Sequence, residues 1–171
     1  MPNNAEIIEK AGFDAYEYEK TYHGCAQCVL KALQENLDLR DILTFKAASS
    51  LGGGVARMGE ICGALLGGIM AINLAFGRDT LVVSSESSEY QRAHQLSAEM
   101  SDRFKAKHGG LCCRDVQRDI FGKSFDMRNP SEREKFLSDG AHEKCPEVAR
   151  EAATLAAEII LRERVKNTKV R

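Results

Sequence analysis

The sequence predicts a single all-α domain, a compact helical bundle around a buried glycine-rich central helix, and three observations predict it. Apolar and small residues recur at helical spacing, glycine and proline punctuate the ends of those stretches, and no strong run of alternating β-branched residues intervenes. Thr80 to Val83 is the one β-like stretch, too short and isolated to make a sheet. With 43% hydrophobic and 29% charged residues, the chain can fill a core and cover it, which excludes a disordered chain. No internal repeat or linker divides it, so residues 1–171 read as one domain.

The elements follow in order. A first helix runs from Ala5 to about Tyr22, with Ile8, Ala11, Ala15 and Tyr18 on one stripe, and Gly24 interrupts it. A second starts at Cys25 and runs to about Leu37. Cap-type residues in Asp38-Leu39-Arg40-Asp41 start a third through Ile42, Phe45 and Leu51, which stops at Gly52-Gly53-Gly54. Ile61 to Gly77 carries no charge and four glycines. It is shorter than the roughly 20 residues a membrane span needs and is bounded by Glu60 and Arg78, so it predicts a buried central helix and no span. Ser84 to Ser88 leads into a long amphipathic helix with Leu96, Met100 and Phe104, ended by His108-Gly109-Gly110. Cys112-Cys113-Arg114-Asp115 opens a short helix to about Phe121, and Asn129-Pro130-Ser131 starts another through Phe136-Leu137. Cys145-Pro146 precedes a last helix to about Val165, with Pro146 as its first residue.

Charge and cysteine usage narrow the function. The balance of 24 basic and 25 acidic residues argues against nucleic acid as a partner, because phosphate binding needs an excess of Lys and Arg. The start, MPNNAEIIEK, lacks a cationic segment followed by an apolar one, so a cytoplasmic location is expected. There, six cysteines stay reduced, and metal binding or redox catalysis is favoured over a disulfide scaffold.

The positions of those cysteines carry the argument. Cys25 follows Gly24, Cys62 follows Gly59 closely, Cys112 and Cys113 follow Gly109-Gly110, and Cys145 precedes Pro146. All four places read as helix N-termini, where free N–H groups and about half a positive charge favour thiolate over thiol. Lowered thiol pKa values are the expectation. The bland reading is that these cysteines are small core hydrophobes.

The segments GCAQCVL (24–30), GGGVARMGEICGALLGG (52–68) and LCCRD (111–115), with Cys145 before the last helix, resemble the redox-active proteins of the four-cysteine CGAxxG family, also written C-GCAxxG-C-C. The likeness covers about residues 20–165, and CGALLG at 62–67 fits the six-residue motif. The resemblance implies redox activity carried by Cys25, Cys62, Cys113 and Cys145. Cys113 is taken because the family places its cysteine directly before an Arg and an acidic residue, as in Arg114-Asp115. Cys28 and Cys112 lie outside the pattern and are auxiliary, as is Arg57. Some relatives are cytochromes that also hold iron, so the resemblance implies an iron-containing site.

Four mechanisms stay open, and the first is preferred, because four converging thiolates would repel one another unless a cation or protons compensated them. Cys25, Cys62, Cys113 and Cys145 could ligate an iron–sulfur cluster or another metal for electron transfer to an unknown redox partner. They could instead act as metal-free dithiols. Cys25-Ala26-Gln27-Cys28 is a C-x-x-C at a helix start, but the βαβ unit of a thioredoxin-like fold is missing. Gly52-Gly53-Gly54 with Arg57 could bind an anion, though no Walker pattern or preceding strand supports it. Last, the cysteines could be core or structural-zinc residues of a non-catalytic protein, whose exposed helical faces could support a homodimer. Val29 follows Cys28 where covalent haem attachment needs histidine, so no such haem is expected. His23 and His142, close to Cys25 and Cys145, could ligate a metal or assist a thiolate, while His94 and His108 read as structural or solvated.

Overall fold

The computed structural model describes residues 3–169, with side chains as far as residue 166. Residues 1, 2, 170 and 171, which the one-domain expectation includes at the two ends, lie outside the described residues. The fold is all-α. Its elements are α1 (Asn4–Tyr22), α2 (Cys25–Asn36), α3 (Ile42–Ala47), α4 (Gly63–Phe76), α5 (Ser88–His108), α6 (Cys113–Phe121), α7 (Pro130–Ser138) and α8 (Ala141–Lys169), with one 3-10 turn at Ser84–Glu86. Among the described residues there is no strand, only an isolated bridge between Ile61 and Cys112. No helix among them is long and apolar enough to cross a membrane.

The central element is α4, as its uncharged sequence predicts. It packs against α2, α5 and α8, and α8 also runs along α1 and α2. Gly67 lets it approach α2 closely, since a Cβ there would collide with the Ala26 carbonyl. The main core joins Leu30, Leu33, Leu65, Ile72, Met100, Phe104, Ile159 and Ile160, all essentially without exposure. A smaller cluster of Phe125, Met127, Phe136 and Ala141, with Phe121 and Cys145 against it, forms under α7.

Four helices are closed at their N-termini by side chains. Asn3 and Glu6 form a capping box on α1, Asp41 caps α3, Ser87 caps α5, and Asn129 caps α7 ahead of Pro130. Gly24, Cys62 and Cys112, at the starts of α2, α4 and α6, give no side-chain cap.

Two expected boundaries are corrected. α3 ends at Ala47 instead of continuing to Leu51, because residues 48–50 form turns and the Gln27 side chain holds the Phe45 carbonyl and the Ser49 hydroxyl. α8 begins at Ala141, not at Pro146. The break that precedes it is Gly140, at φ 92°, and Glu143 and Lys144 already donate to the Gly140 carbonyl. Pro146 therefore lies inside the helix and forgoes one N–H bond there.

The loop from α3 to α4 contains a left-handed turn. Gly53, Gly54, Val55, Ala56 and Arg57 have φ of 66°, 72°, 55°, 50° and 63°. For the three that carry a Cβ, this conformation costs about 1–2 kcal/mol each, and such strain gathers at functional sites. Ala56 is exposed, so its side chain contributes little packing. Ala56→Gly should therefore raise the unfolding free energy by about 0.5–1 kcal/mol in urea denaturation, even though glycine adds freedom to the unfolded chain.

Candidate functional site

A cavity of about 620 Å³ lies against both apolar clusters, and Cys25, Cys62, Cys113 and Cys145 all line it. Each comes from a different helix. Cys25 is the first residue of α2, Cys62 the N-cap of α4, Cys113 the first residue of α6, and Cys145 lies in the second turn of α8. The N-terminal placement expected for all four is therefore right for three and corrected for Cys145. Cys62 is buried, and the others are half-buried. All six cysteines carry free thiols.

Backbone bonds clamp two of the cysteine loops together. Cys62 N–H donates to the Leu111 carbonyl at 2.8 Å, Cys113 N–H to the Glu60 carbonyl at 2.6 Å, and Arg114 N–H to the Gly59 carbonyl at 3.1 Å. The Arg114 guanidinium adds an exposed ion pair to Glu60 at 2.6 Å. This clamp takes up the first N–H groups of α6, which are then no longer free for an anion. Gln117, buried in α6, donates to Cys113 Sγ at 3.5 Å and accepts from the Phe125 N–H at 2.8 Å, tying that thiol to the smaller core.

Cys25 and Cys62 meet at the start of α4. The Cys25 sulfur sits against the start of α4: a Cβ added at Gly63 would lie 2.5 Å from it. Only glycine leaves room for that sulfur. The Cys25 and Cys62 side chains are hydrogen-bonded, and the Gly53 N–H, from the left-handed turn, donates to Cys25. The strained turn thus places one backbone donor on a thiol.

The electrostatics reverse the expectation of lowered thiol pKa values. The hydrogen bond shared with Cys62, then burial, push Cys25 well above its ordinary value. Burial raises Cys113 to about 12. It also raises Cys145 and Cys28, each with carboxylate or thiol neighbours adding to the effect. Desolvation of a charged sulfur outweighs the half-charge of a helix end. Cys25, Cys28, Cys113 and Cys145 are therefore protonated at neutral pH.

The auxiliary residues divide. Arg57 lines the cavity from the exposed side of the left-handed turn. Cys112 caps α6 and Cys28 is buried one turn into α2; neither is among the lining residues. His23 and His142, far apart in sequence, stack with ring centroids 3.8 Å apart at the edge of the cavity. His94 is exposed beside Tyr90, and buried His108 faces Glu151 at 3.0 Å.

Sequence reasoning missed Glu19. This α1 carboxyl is buried, lines the cavity, and meets the Cys28 thiol and the Gly24 N–H, while its Oε2 has no partner. Burial raises its pKa to about 7. A signal existed: Glu19 falls four residues after Ala15, on the same stripe as Ala11 and Ala15, where a carboxylate is out of place.

Among the described residues, no three His, Cys, Asp or Glu side chains are grouped so that they could hold a metal ion. The chain matches a family model described as "Putative redox-active protein (C_GCAxxG_C_C)" over residues 23–159. No curated protein and no solved structure matches it.

Proposed function

The chain belongs to the C_GCAxxG_C_C family of redox-active proteins, and from that premise we propose that it works by thiol–disulfide exchange, with Cys25 and Cys62 as the reacting pair. The observation that carries this reading is the direct contact of the two thiols at the start of α4. Cys25, half-buried and opening on the cavity, is the attacking sulfur, and buried Cys62 resolves. In the reaction, the Cys25 thiol gives up its proton as its sulfur attacks one sulfur of a substrate disulfide, and the displaced sulfur takes up a proton and leaves as a thiol. Cys62 then attacks Cys25 and displaces the second, so the protein gains one disulfide and the substrate becomes two thiols. The position of the attacking sulfur on a cavity wall favours a small disulfide over one held on a folded protein.

The test is oxidation of the purified protein with diamide, followed by thiol counting and peptide mapping. One Cys25–Cys62 linkage, reversed by dithiothreitol, is expected. All six cysteines remaining free would overturn the reading.

A second reading rests on a separate observation: four thiols from four helices share one cavity, and burial raises the pKa of Cys25, Cys113 and Cys145. Such a set is stabilised once a cation replaces the protons. Among the described residues the side chains are not grouped for a metal ion as they stand, so an iron–sulfur cluster, whose cysteines sit on different metal atoms, would require the four thiols to draw together around it. Cys25, Cys62, Cys113 and Cys145 would hold it, and it would supply one-electron transfer. Protein purified without oxygen would then show a broad visible band that dithionite bleaches; a featureless spectrum removes this reading.

A further inference from the structure

We propose that Glu19 is the proton acceptor for Cys28, and that this makes Cys28 the thiol that takes over a disulfide held on Cys25. The inference rests on Cys25–Cys62 as the reacting dithiol and assigns roles to two residues outside the four-cysteine pattern.

The geometry supports it on three counts. Cys25 and Cys28 lie three residues apart on α2, so they share a face within its first turn, and Cys25 is close enough to raise the Cys28 thiol. Cys28 is 5% exposed, with its thiol against the Glu19 carboxyl. Glu19 is itself 8% exposed and keeps Oε2 without a partner. A buried carboxyl with a vacant oxygen beside a buried thiol has a place for one more proton.

The exchange balances without an outside oxidant. The Cys28 proton passes to the Glu19 carboxylate, and Cys28 sulfur attacks Cys25 sulfur in the Cys25–Cys62 disulfide. The S–S bond to Cys62 breaks as the bond to Cys28 forms, and Cys62 leaves as a thiolate that takes up one proton. One disulfide is lost and one gained, with no net electron change. Its effect is to free Cys62 and leave the oxidised pair at the C-x-x-C.

The groups around Glu19 decide its pH behaviour. Cys25 and Cys28 from α2, Cys113 from α6 and Cys145 from α8 interact with its charge, and His23, His142, Arg57 and Arg133 line the same cavity. Burial dominates and sets its titration near pH 7, so the exchange should speed up as pH rises through that value.

The experiment oxidises the full chain with diamide and maps linkages over time across a pH series, in the native protein, Glu19→Gln and Cys28→Ser. A Cys25–Cys62 linkage that converts to Cys25–Cys28 is expected. Glu19→Gln should slow the conversion by about 100-fold, within the usual range for a positioned base, and erase the rise near pH 7. A Cys25–Cys62 linkage that persists in the native protein as it does in Cys28→Ser overturns this proposal and leaves the reacting pair standing. Equal conversion in Glu19→Gln and native protein overturns the role of Glu19. No linkage at Cys25 and Cys62 under any condition overturns both the pair and the exchange.

Discussion

Replacing Cys62 with serine should leave the protein folded and remove the Cys25–Cys62 linkage from its disulfide chemistry. Cys62 is the N-cap of α4, a position it fills without a side-chain bond. Serine is among the best residues there, and its hydroxyl, by accepting a backbone N–H of the first turn, contributes about 1 kcal/mol. That gain offsets the penalty for burying a hydroxyl, about 1–3 kcal/mol when it has no partner. The urea midpoint should therefore move little. The chemistry has no such substitute: Cys25 faces an oxygen that cannot form a disulfide, and the Cys25–Cys62 linkage disappears from the diamide map. Cys113→Ser and Cys145→Ser, which leave the pair in contact, should keep it. If instead all three serine variants lost a visible band together, the cysteines would be joint ligands and not a pair with two neighbours.

Glu19→Gln should be more stable than the native protein at high pH and closer to it at low pH. The folded-state pKa of Glu19 is raised to about 7 from an ordinary value of 4.5. A carboxyl raised on folding binds its proton more tightly in the native state. Its favourable contribution is present below about pH 4.5 and is lost as pH climbs through 7. Above that, folding must hold a buried charge. The gap corresponds to about 3 kcal/mol. Glutamine keeps an acceptor for the Gly24 N–H and the Cys28 thiol and carries no charge, so it escapes the loss. Urea denaturation of both proteins at about pH 5 and about pH 8 measures the difference; a gap that does not widen with pH would place Glu19 in water and not in the cavity wall. The same result separates the roles of the residue, because a variant that is more stable and yet slower in disulfide conversion has not lost function by unfolding.

Much of the fold was readable because its signals are local. Gly24, Gly109 and Asn129-Pro130 each stop or start a helix where the sequence predicts, whereas α3 ends five residues before the triple glycine expected to stop it. α8 was misplaced because Pro146, a good first helical residue, outweighed Gly140, the true break. The convergence of four cysteines was readable only through the family likeness, since their separations in sequence say nothing of packing. Two features of the site depend on tertiary burial and were hidden. The thiol pKa values rise because the cavity excludes water, which helix position alone cannot reveal. The His23–His142 stack joins the end of α1 to the start of α8, and no short-range pattern links them. Glu19 lay between these cases, marked by its stripe but not by any motif.

The contribution of α8 to the cavity wall bears on how the protein is made. Cys25 and Cys62 belong to the first half of the chain, and α2 and α4 can meet as soon as both are synthesised. Cys145 and His142, and the long helix that covers α1, α2 and α4, come last. At about 5–20 residues per second, residue 145 is added about 4–17 s after residue 62. On the ribosome the thiol pair faces solvent for that interval, open to oxidants, metal carriers and chaperones. The final helix closes the wall afterwards, so whatever redox state or metal load the pair has acquired is enclosed with it.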